Sequence, residues 1–153
     1  MADESFRIAE LLLDGYTCAQ VLVKLALEAQ GSDNPELARA MAGLALGIGQ
    51  GFNCGCLTGG ACLLGLYGGR TDEAQPGHPR FDIMLEEFAG WFESEMTAKY
   101  GGIDCEKIIN FDPALKQQRC PEIILDCWTK ARGILEKHSV DITQPAQAEW
   151  RDG

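Results

Sequence analysis

Apolar residues recur every three to four positions along most of the chain, which is the pattern of amphipathic α-helices. The clearest case runs from Phe81 to Tyr100. Its apolar stripe consists of Phe81, Met84, Leu85, Phe88, Trp91, Phe92 and Met96. Similar patterns predict helices over 5–13, 17–29, 36–48, 54–67 and 121–137, and a shorter segment covers 105–110. No stretch alternates as a strand does, so the sequence predicts an all-α fold, a compact bundle of five or six helices.

Glycine, proline and polar residues separate the predicted helices. The connections fall at 14–15, 31–35, 68–79, 101–102 and in a linker over 111–119. A length of 153 residues suits one domain around a single core. We therefore predict one helical domain over residues 1–138 and a loosely packed polar tail over residues 139–153.

The charge of the chain limits its partners. Acidic residues number 23 and basic residues 13, so the net charge is −10. Such a chain repels nucleic acids and anionic membranes, and it favours a basic protein as partner. The sequence shows neither a secretory signal nor an apolar run long enough to span a membrane. We therefore expect a cytoplasmic protein, in a compartment where thiols stay reduced.

Four of the seven cysteines are predicted at helix starts: Cys18, Cys54, Cys105 and Cys120. Thr17 and Gln20 form a capping-box pattern around the first. Asn53 and Asp104 are good N-cap residues before the second and third. Pro121, after the fourth, prefers the first position of a helix. Helix N-termini favour thiolates, which bind metals and attack disulfides, so this placement indicates metal or redox chemistry.

The other three cysteines differ in context. Cys62 and Cys127 fall among apolar helix residues and are interpreted as small buried hydrophobic residues. Cys56 lies two positions after Cys54, in a C-x-C arrangement that leaves its role open. Because seven is an odd number, a fully paired set of disulfides within one chain is excluded.

Glycines are concentrated around the second of these cysteines. They occupy positions 47, 49, 51, 55, 59 and 60. Residues this small let backbones approach one another or a bound group, and their N–H groups can donate to sulfur. Close helix packing explains the same glycines, so both interpretations stay open. The spacing does not match a nucleotide-binding loop.

The segments GYTCAQVL, GFNCGCLTGGACLLGL, DCEKII and RCPEII resemble the family of redox-active proteins named for a C_GCAxxG_C_C cysteine pattern. The resemblance extends from about Asp14 to His138. Its four pattern cysteines coincide with the four that are predicted at helix starts. One position departs from the pattern, because Cys56 replaces an alanine. This cysteine is either a conservative replacement or an added ligand.

The resemblance implies redox activity for the domain over 1–138. A related helical domain in split-Soret cytochromes c holds a non-haem iron centre of the [2Fe–2S] kind. By that analogy Cys18, Cys54, Cys105 and Cys120 would ligate an iron–sulfur cluster for electron transfer to a redox partner protein. Gly55 and Gly59 would supply N–H groups near the sulfurs. Such a cluster can be lost during aerobic purification, and the absence of C-x-x-C-H predicts no c-type haem.

Other functions remain open at this point. Two of the thiolates could cycle as a dithiol and a disulfide, in a pair distant along the sequence because no C-x-x-C occurs. A Cys₄ site for structural zinc is a further alternative, although the usual paired knuckles are missing. A helical interaction protein whose cysteines only pack is the last, and a homodimer is open in each case. His78 and His138 are interpreted as structural or solvated, not catalytic.

Overall fold

Seven α-helices make up most of the structure, a computed structural model that describes residues 4–145. They are α1 (Glu4–Leu13), α2 (Cys18–Ala29), α3 (Pro35–Ala40), α4 (Gly55–Gly68), α5 (Phe81–Tyr100), α6 (Cys105–Ile109) and α7 (Pro113–Lys137). A 3₁₀ turn (Met41–Leu44) and a wide π turn (Gly47–Gly51) follow α3. Within the described residues, strand-like pairing is limited to two isolated bridges. The predicted all-α fold is confirmed, with seven helices in this part of the chain instead of five or six.

The helix α4 lies at the centre, packed against α2, α5 and α7. Its sequence is apolar nearly all round, which is the composition of a helix buried on several sides. A Cβ atom added at Gly60 would collide with the ring of Phe88 on α5. A Cβ atom added at Gly59 would lie 2.8 Å from Cα of Ala19 on α2. These two glycines therefore allow the close approach of the helices on either side.

The apolar stripe predicted for α5 faces a single large core. Met84, Phe88, Phe92 and Met96 are all at most 1% exposed. They pack with residues of α2, α4 and α7 in one continuous hydrophobic cluster. Burying a side chain of this size contributes about 1.5–3 kcal/mol, so this stripe is a main source of stability.

The predicted helix over 36–48 is wrong beyond Ala40. The chain continues through the 3₁₀ turn, and then Leu46 and Ile48 adopt left-handed backbone angles, with φ of 54° and 59°. The N–H of Phe52 donates to the carbonyl of Gly47 at 3.2 Å, which closes the π turn. Good helix formers predicted a regular helix here, but this loop geometry overrides their intrinsic preference.

The predicted linker over 111–119 is also wrong, because most of it forms the first turns of α7. The carboxylate of Asp112 accepts a hydrogen bond from the N–H of Ala114 at 2.9 Å, and Pro113 occupies the first helical position. Cys120 therefore lies inside α7, not at a helix start. Pro121 is an interior proline that the helix accommodates.

The segment after α7 turns back onto the core. Val140 is 4% exposed. The buried hydroxyl of Tyr67 donates to the carbonyl of Ile142 at 2.8 Å. These contacts involve the first residues of the predicted polar tail, and its remaining part, 146–153, lies outside the described residues. The boundary at residue 138 stays a prediction.

Ion pairs attach α1 to its neighbours. Arg7 pairs with Glu28 of α2 at 2.6 Å, and Glu4 pairs with Arg132 of α7 at 2.8 Å. Both pairs are partly exposed, so each contributes at most about 1 kcal/mol.

None of the helices in residues 4–145 combines the length and the apolar character of a membrane-spanning helix.

Candidate functional site

The four pattern cysteines line one cavity of about 710 Å³. Cys18 is the first residue of α2, Cys54 is the N-cap of α4, Cys105 begins α6, and Cys120 lies in α7. Four separate elements thus bring their sulfurs to one place. This convergence is a property of the fold that sequence spacing alone does not establish.

A short backbone bridge brings Cys54 and Cys105 together. Asn53 pairs with Asp104 in an isolated antiparallel bridge. The N–H of Cys54 donates to the carbonyl of Ile103 at 3.0 Å, and the N–H of Cys105 donates to the carbonyl of Phe52 at 2.7 Å. The residue after each bridge partner is a cysteine, so the bridge positions both thiols at the cavity.

The start of α4 differs by one residue from the prediction. Cys54 itself is the N-cap, in place of Asn53, and its sulfur accepts a hydrogen bond from the N–H of Cys56 at 3.4 Å. The capping box at α2 is as predicted, since the N–H of Thr17 donates to the side-chain oxygen of Gln20 at 3.0 Å. Capping signals therefore locate Cys18 and Cys54 to within one residue.

Gly55 and Gly59 have different surroundings. Gly55 lines the cavity, and a Cβ atom there would lie 2.6 Å from the sulfur of Cys18. Only a glycine leaves room for that thiol beside α4. Gly59 is not among the residues that line the cavity, and it faces the backbone of Ala19. Its visible role is the packing of α2 against α4.

Two further cysteines join the group. The Cys56 thiol lies within hydrogen-bonding reach of the sulfurs of Cys18, Cys54 and Cys127. Cys56 and Cys127 are both 0% exposed. The burial predicted for Cys127 is confirmed, but its contact with the cysteine group is not visible from composition. The available signal was the spacing of seven residues from Cys120, which places both cysteines on one face of a helix.

The remaining cysteine does not belong to the group. Cys62 is exposed, so its predicted burial is wrong. It lies on α4 two residues after Gly60, which faces α5, and it points away from that contact. This exposed thiol is therefore a natural control for experiments on the other six.

The thiols differ in acidity. A hydrogen bond with the Cys56 thiol is the main cause of a lowered pKa for Cys18, and the N–H of Ala19 and the charge of Lys116 act in the same direction. The pKa of Cys56 lies well above its ordinary value, because its hydrogen bonds to the other sulfurs and its burial both favour the protonated form.

Burial is the main influence on the acidity of two other thiols. It raises the pKa of Cys105 to about 11 and that of Cys120 to about 12, and negative charge on neighbouring cysteines adds to both shifts. Lys116 opposes both shifts. The expectation that helix starts favour thiolates therefore fails for Cys105, because desolvation is the larger effect, whereas the pKa of Cys18 is lowered chiefly by the Cys56 thiol.

The cavity lining is mainly apolar. Lys116 is its only charged side chain among the described residues. Leu13 and Leu46 also line the cavity, yet they are 88% and 38% exposed, so they lie at its mouth. Left-handed backbone at a leucine is unfavourable, so Leu46 places a strained residue beside the cavity.

No group of three or more His, Cys, Asp or Glu side chains in residues 4–145 is arranged so that it could hold a metal ion.

The chain matches the sequence model of one family, described as "Putative redox-active protein (C_GCAxxG_C_C)", over residues 16–134. The protein belongs to this family of redox-active proteins, which confirms the resemblance. Neither the curated proteins nor the solved structures contain a match.

Proposed function

We propose that the protein is a redox module that carries an iron–sulfur cluster, with Cys18, Cys54, Cys105 and Cys120 as ligands. The observation that carries the proposal is that all four thiols line the same cavity. Four cysteine thiolates are the usual ligand set of such clusters. The cluster would supply one-electron transfer.

The surroundings of the thiols favour an anionic group, although no three of these side chains are already placed around a single metal position. Gly55 keeps a space in which the Cys18 sulfur faces the cavity, and the cavity lining contains no carboxylate that would repel an anionic cluster. Lys116 offers a positive charge next to the sulfurs. The N–H of Cys56 donates to the Cys54 sulfur, which is the type of contact that adjusts the potential of a cluster.

The exchange partner in this proposal is a protein with a basic surface. The chain has a net charge of −10, so attraction to such a surface accelerates association at low ionic strength. Apolar residues at the cavity mouth, Leu13 and Leu46, offer a contact that needs no charge. The rate of electron transfer to a basic redox protein is expected to fall as salt is added.

Anaerobic purification tests the cluster. The wild type is expected to contain iron and sulfide and to show visible absorption that bleaches with dithionite. Cys54→Ser is expected to lose most of the iron, and the matched control Cys62→Ser to retain it, because Cys62 is exposed and outside the group. A colourless wild type without iron would overturn the proposal, and zinc in its place would favour the structural-zinc alternative.

Thiol–disulfide exchange is the second proposed function. It is favoured by the contacts of the Cys56 thiol with the sulfurs of Cys18, Cys54 and Cys127. Two of these thiols would lose two electrons and two protons to a disulfide substrate, which would be reduced to two thiols. Cys18 is partly exposed and lines the cavity, so it is the thiol that a substrate can reach.

Mass spectrometry distinguishes the two functions. Under thiol–disulfide exchange, an iron-free wild type treated with oxidised dithiothreitol loses two hydrogens in mass, and the loss reverses with reductant. Peptide mapping is expected to place Cys18 in the disulfide. If the iron-free protein stays fully reduced under these conditions, the exchange function is wrong.

A further inference from the structure

The cavity beside the cysteines is large enough for an organic molecule. Its volume of about 710 Å³ lies within the range of roughly 300–1,000 Å³ that is typical of small-molecule sites. The thiols and Gly55 account for one part of the lining. Another part comes from α1 and the following loop, through Leu12, Leu13 and Tyr16, and from Leu46. This part is apolar and opens to solvent.

The charge of the lining contrasts with that of the chain. Acidic residues outnumber basic ones by 23 to 13, yet no acidic residue lines the cavity and Lys116 does. Lys116 forms no salt bridge with a carboxylate among residues 4–145. Its positive charge acts to lower the pKa of the thiols of Cys18, Cys105 and Cys120, which line the same cavity. The exposed Lys116 thus provides the one charged side chain of an otherwise mainly apolar lining within the described residues.

An apolar lining with one lysine favours ligands that have an apolar part and a negative charge. The apolar part of a ligand contributes about 25 cal/mol of binding free energy for each Å² of its surface that is removed from water. A negative charge beside Lys116 adds an attraction that solvent screens, because this lysine is exposed. The N-terminal turns of α2 and α7 also border the cavity, through Cys18 and Pro113, and their partial positive charge acts in the same direction.

We propose that this cavity binds a small organic monocarboxylate, with its carboxylate at Lys116 and its apolar body against Leu12, Leu13 and Leu46. This inference goes beyond the redox function. It shares Lys116 and the cavity with the proposed cluster, but its apolar contacts with Leu12, Leu13 and Leu46 involve none of the cysteines.

Isothermal titration calorimetry with octanoate tests the proposal. The wild type is expected to bind octanoate more tightly than 1-octanol, which has the body without the charge. It is also expected to bind octanoate more tightly than acetate, which has the charge without the body. Octyltrimethylammonium, with the opposite charge, is expected to bind most weakly. Equal affinity for octanoate and 1-octanol would overturn the role of the charge, and equal affinity for octanoate and acetate would overturn that of the apolar lining.

Lysine variants locate the contact. Lys116→Gln is expected to weaken octanoate binding about tenfold, which corresponds to about 1.4 kcal/mol, without changing the affinity for 1-octanol. Lys116→Arg is expected to retain most of the affinity. Lys107→Gln is the matched control, because Lys107 is an exposed lysine of α6 that does not line the cavity. If Lys116→Gln and Lys107→Gln bind octanoate equally well, the proposed site is wrong.

The same titration on Cys54→Ser separates this proposal from the redox function. That variant is expected to lack iron and still to bind octanoate. Binding in a wild type that proves free of iron would leave this inference standing while the cluster proposal fails. Failure of octanoate to bind both the iron-loaded wild type and Cys54→Ser would overturn this inference and leave the cluster in place.

Discussion

At the scale of single residues, Gly55 is the position on which the site depends most directly. A Cβ atom at this position would lie 2.6 Å from the Cys18 sulfur and 3.2 Å from the carbonyl oxygen of Leu44. Gly55→Ala is therefore expected to displace the thiol, to lose at least half of the iron, and to lower the free energy of unfolding by about 1–3 kcal/mol. Iron analysis and urea denaturation measure both effects.

Gly65→Ala is the matched control for that variant. Its added Cβ atom would meet nothing closer than the Phe81 ring at 3.8 Å, which is ordinary contact. Since glycine inside a helix costs about 0.5–1 kcal/mol relative to alanine, this variant is expected to be slightly more stable and to keep its iron. A Gly55→Ala protein that behaves like Gly65→Ala would contradict the role assigned to Gly55.

Cys56 is the residue at which this chain departs from the family pattern. Its thiol interacts with those of Cys18 and Cys54, but Cys56 itself is not among the residues that line the cavity. Cys56→Ala, which restores the pattern residue, is therefore expected to retain iron. Its reduction potential is expected to fall, because a hydrogen bond to the ligand sulfurs is lost. Redox potentiometry checks this, and loss of iron equal to that of Cys54→Ser would instead make Cys56 a ligand.

Local signals predicted some positions of the site and missed others. The cap residues before Cys18 and Cys105 were correct, because capping depends only on neighbours in sequence. Cys120 was wrongly placed at a helix start because Pro121 was interpreted as the first helical residue, and the contact of Cys127 with the cysteine group was missed. With α7 begun at Pro113 instead, their spacing would have placed both on one face of the same helix.

At the scale of elements, α7 carries a proline in its interior. Pro121 has no N–H to donate to the carbonyl of Gln117, and both residues line the cavity. Pro121→Ala supplies the missing donor, so it is expected to raise the free energy of unfolding by about 1–2 kcal/mol, after allowing for the greater freedom of the unfolded chain. Pro113→Ala is the control, because proline at the first helical position costs little. If urea denaturation shows that the free energy of unfolding of Pro121→Ala is equal to or lower than that of the wild type, the missing hydrogen bond at Pro121 does not destabilise α7.

The connection between α3 and α4 shows why element ends were harder to predict than the elements. Alanine and leucine favoured a continuous helix through Leu46, but the hydrogen bond from Phe52 to the Gly47 carbonyl fixes a tight loop. A Cβ atom at Gly47 would collide with the Phe52 backbone. Such a contact depends on the position of a distant turn, which intrinsic propensity does not encode.

At the scale of the whole molecule, each helix predicted from periodicity has a counterpart within residues 4–145, although the one over 36–48 ends at Ala40. The arrangement of these helices forms the site. The cavity forms where the beginnings of α2, α4 and α7 meet the face of α1. Periodicity predicts which face of a helix is buried, but it does not say which helix packs against which. The convergence of the four pattern cysteines on one cavity is therefore a result of topology, and only the structure shows it.

The segment after α7 offers a test of where the folded unit ends. Truncation after His138 removes the buried Val140 and the carbonyl of Ile142 that accepts from Tyr67, whereas truncation after Pro145 keeps both. Burial of a valine contributes about 1.5–3 kcal/mol and a hydrogen bond about 1 kcal/mol. The shorter protein is therefore expected to be less stable than the longer one by about 2–4 kcal/mol in urea denaturation. Equal stability of the two would mean that residues 139–145 contribute little, and that the predicted boundary at residue 138 is the correct one.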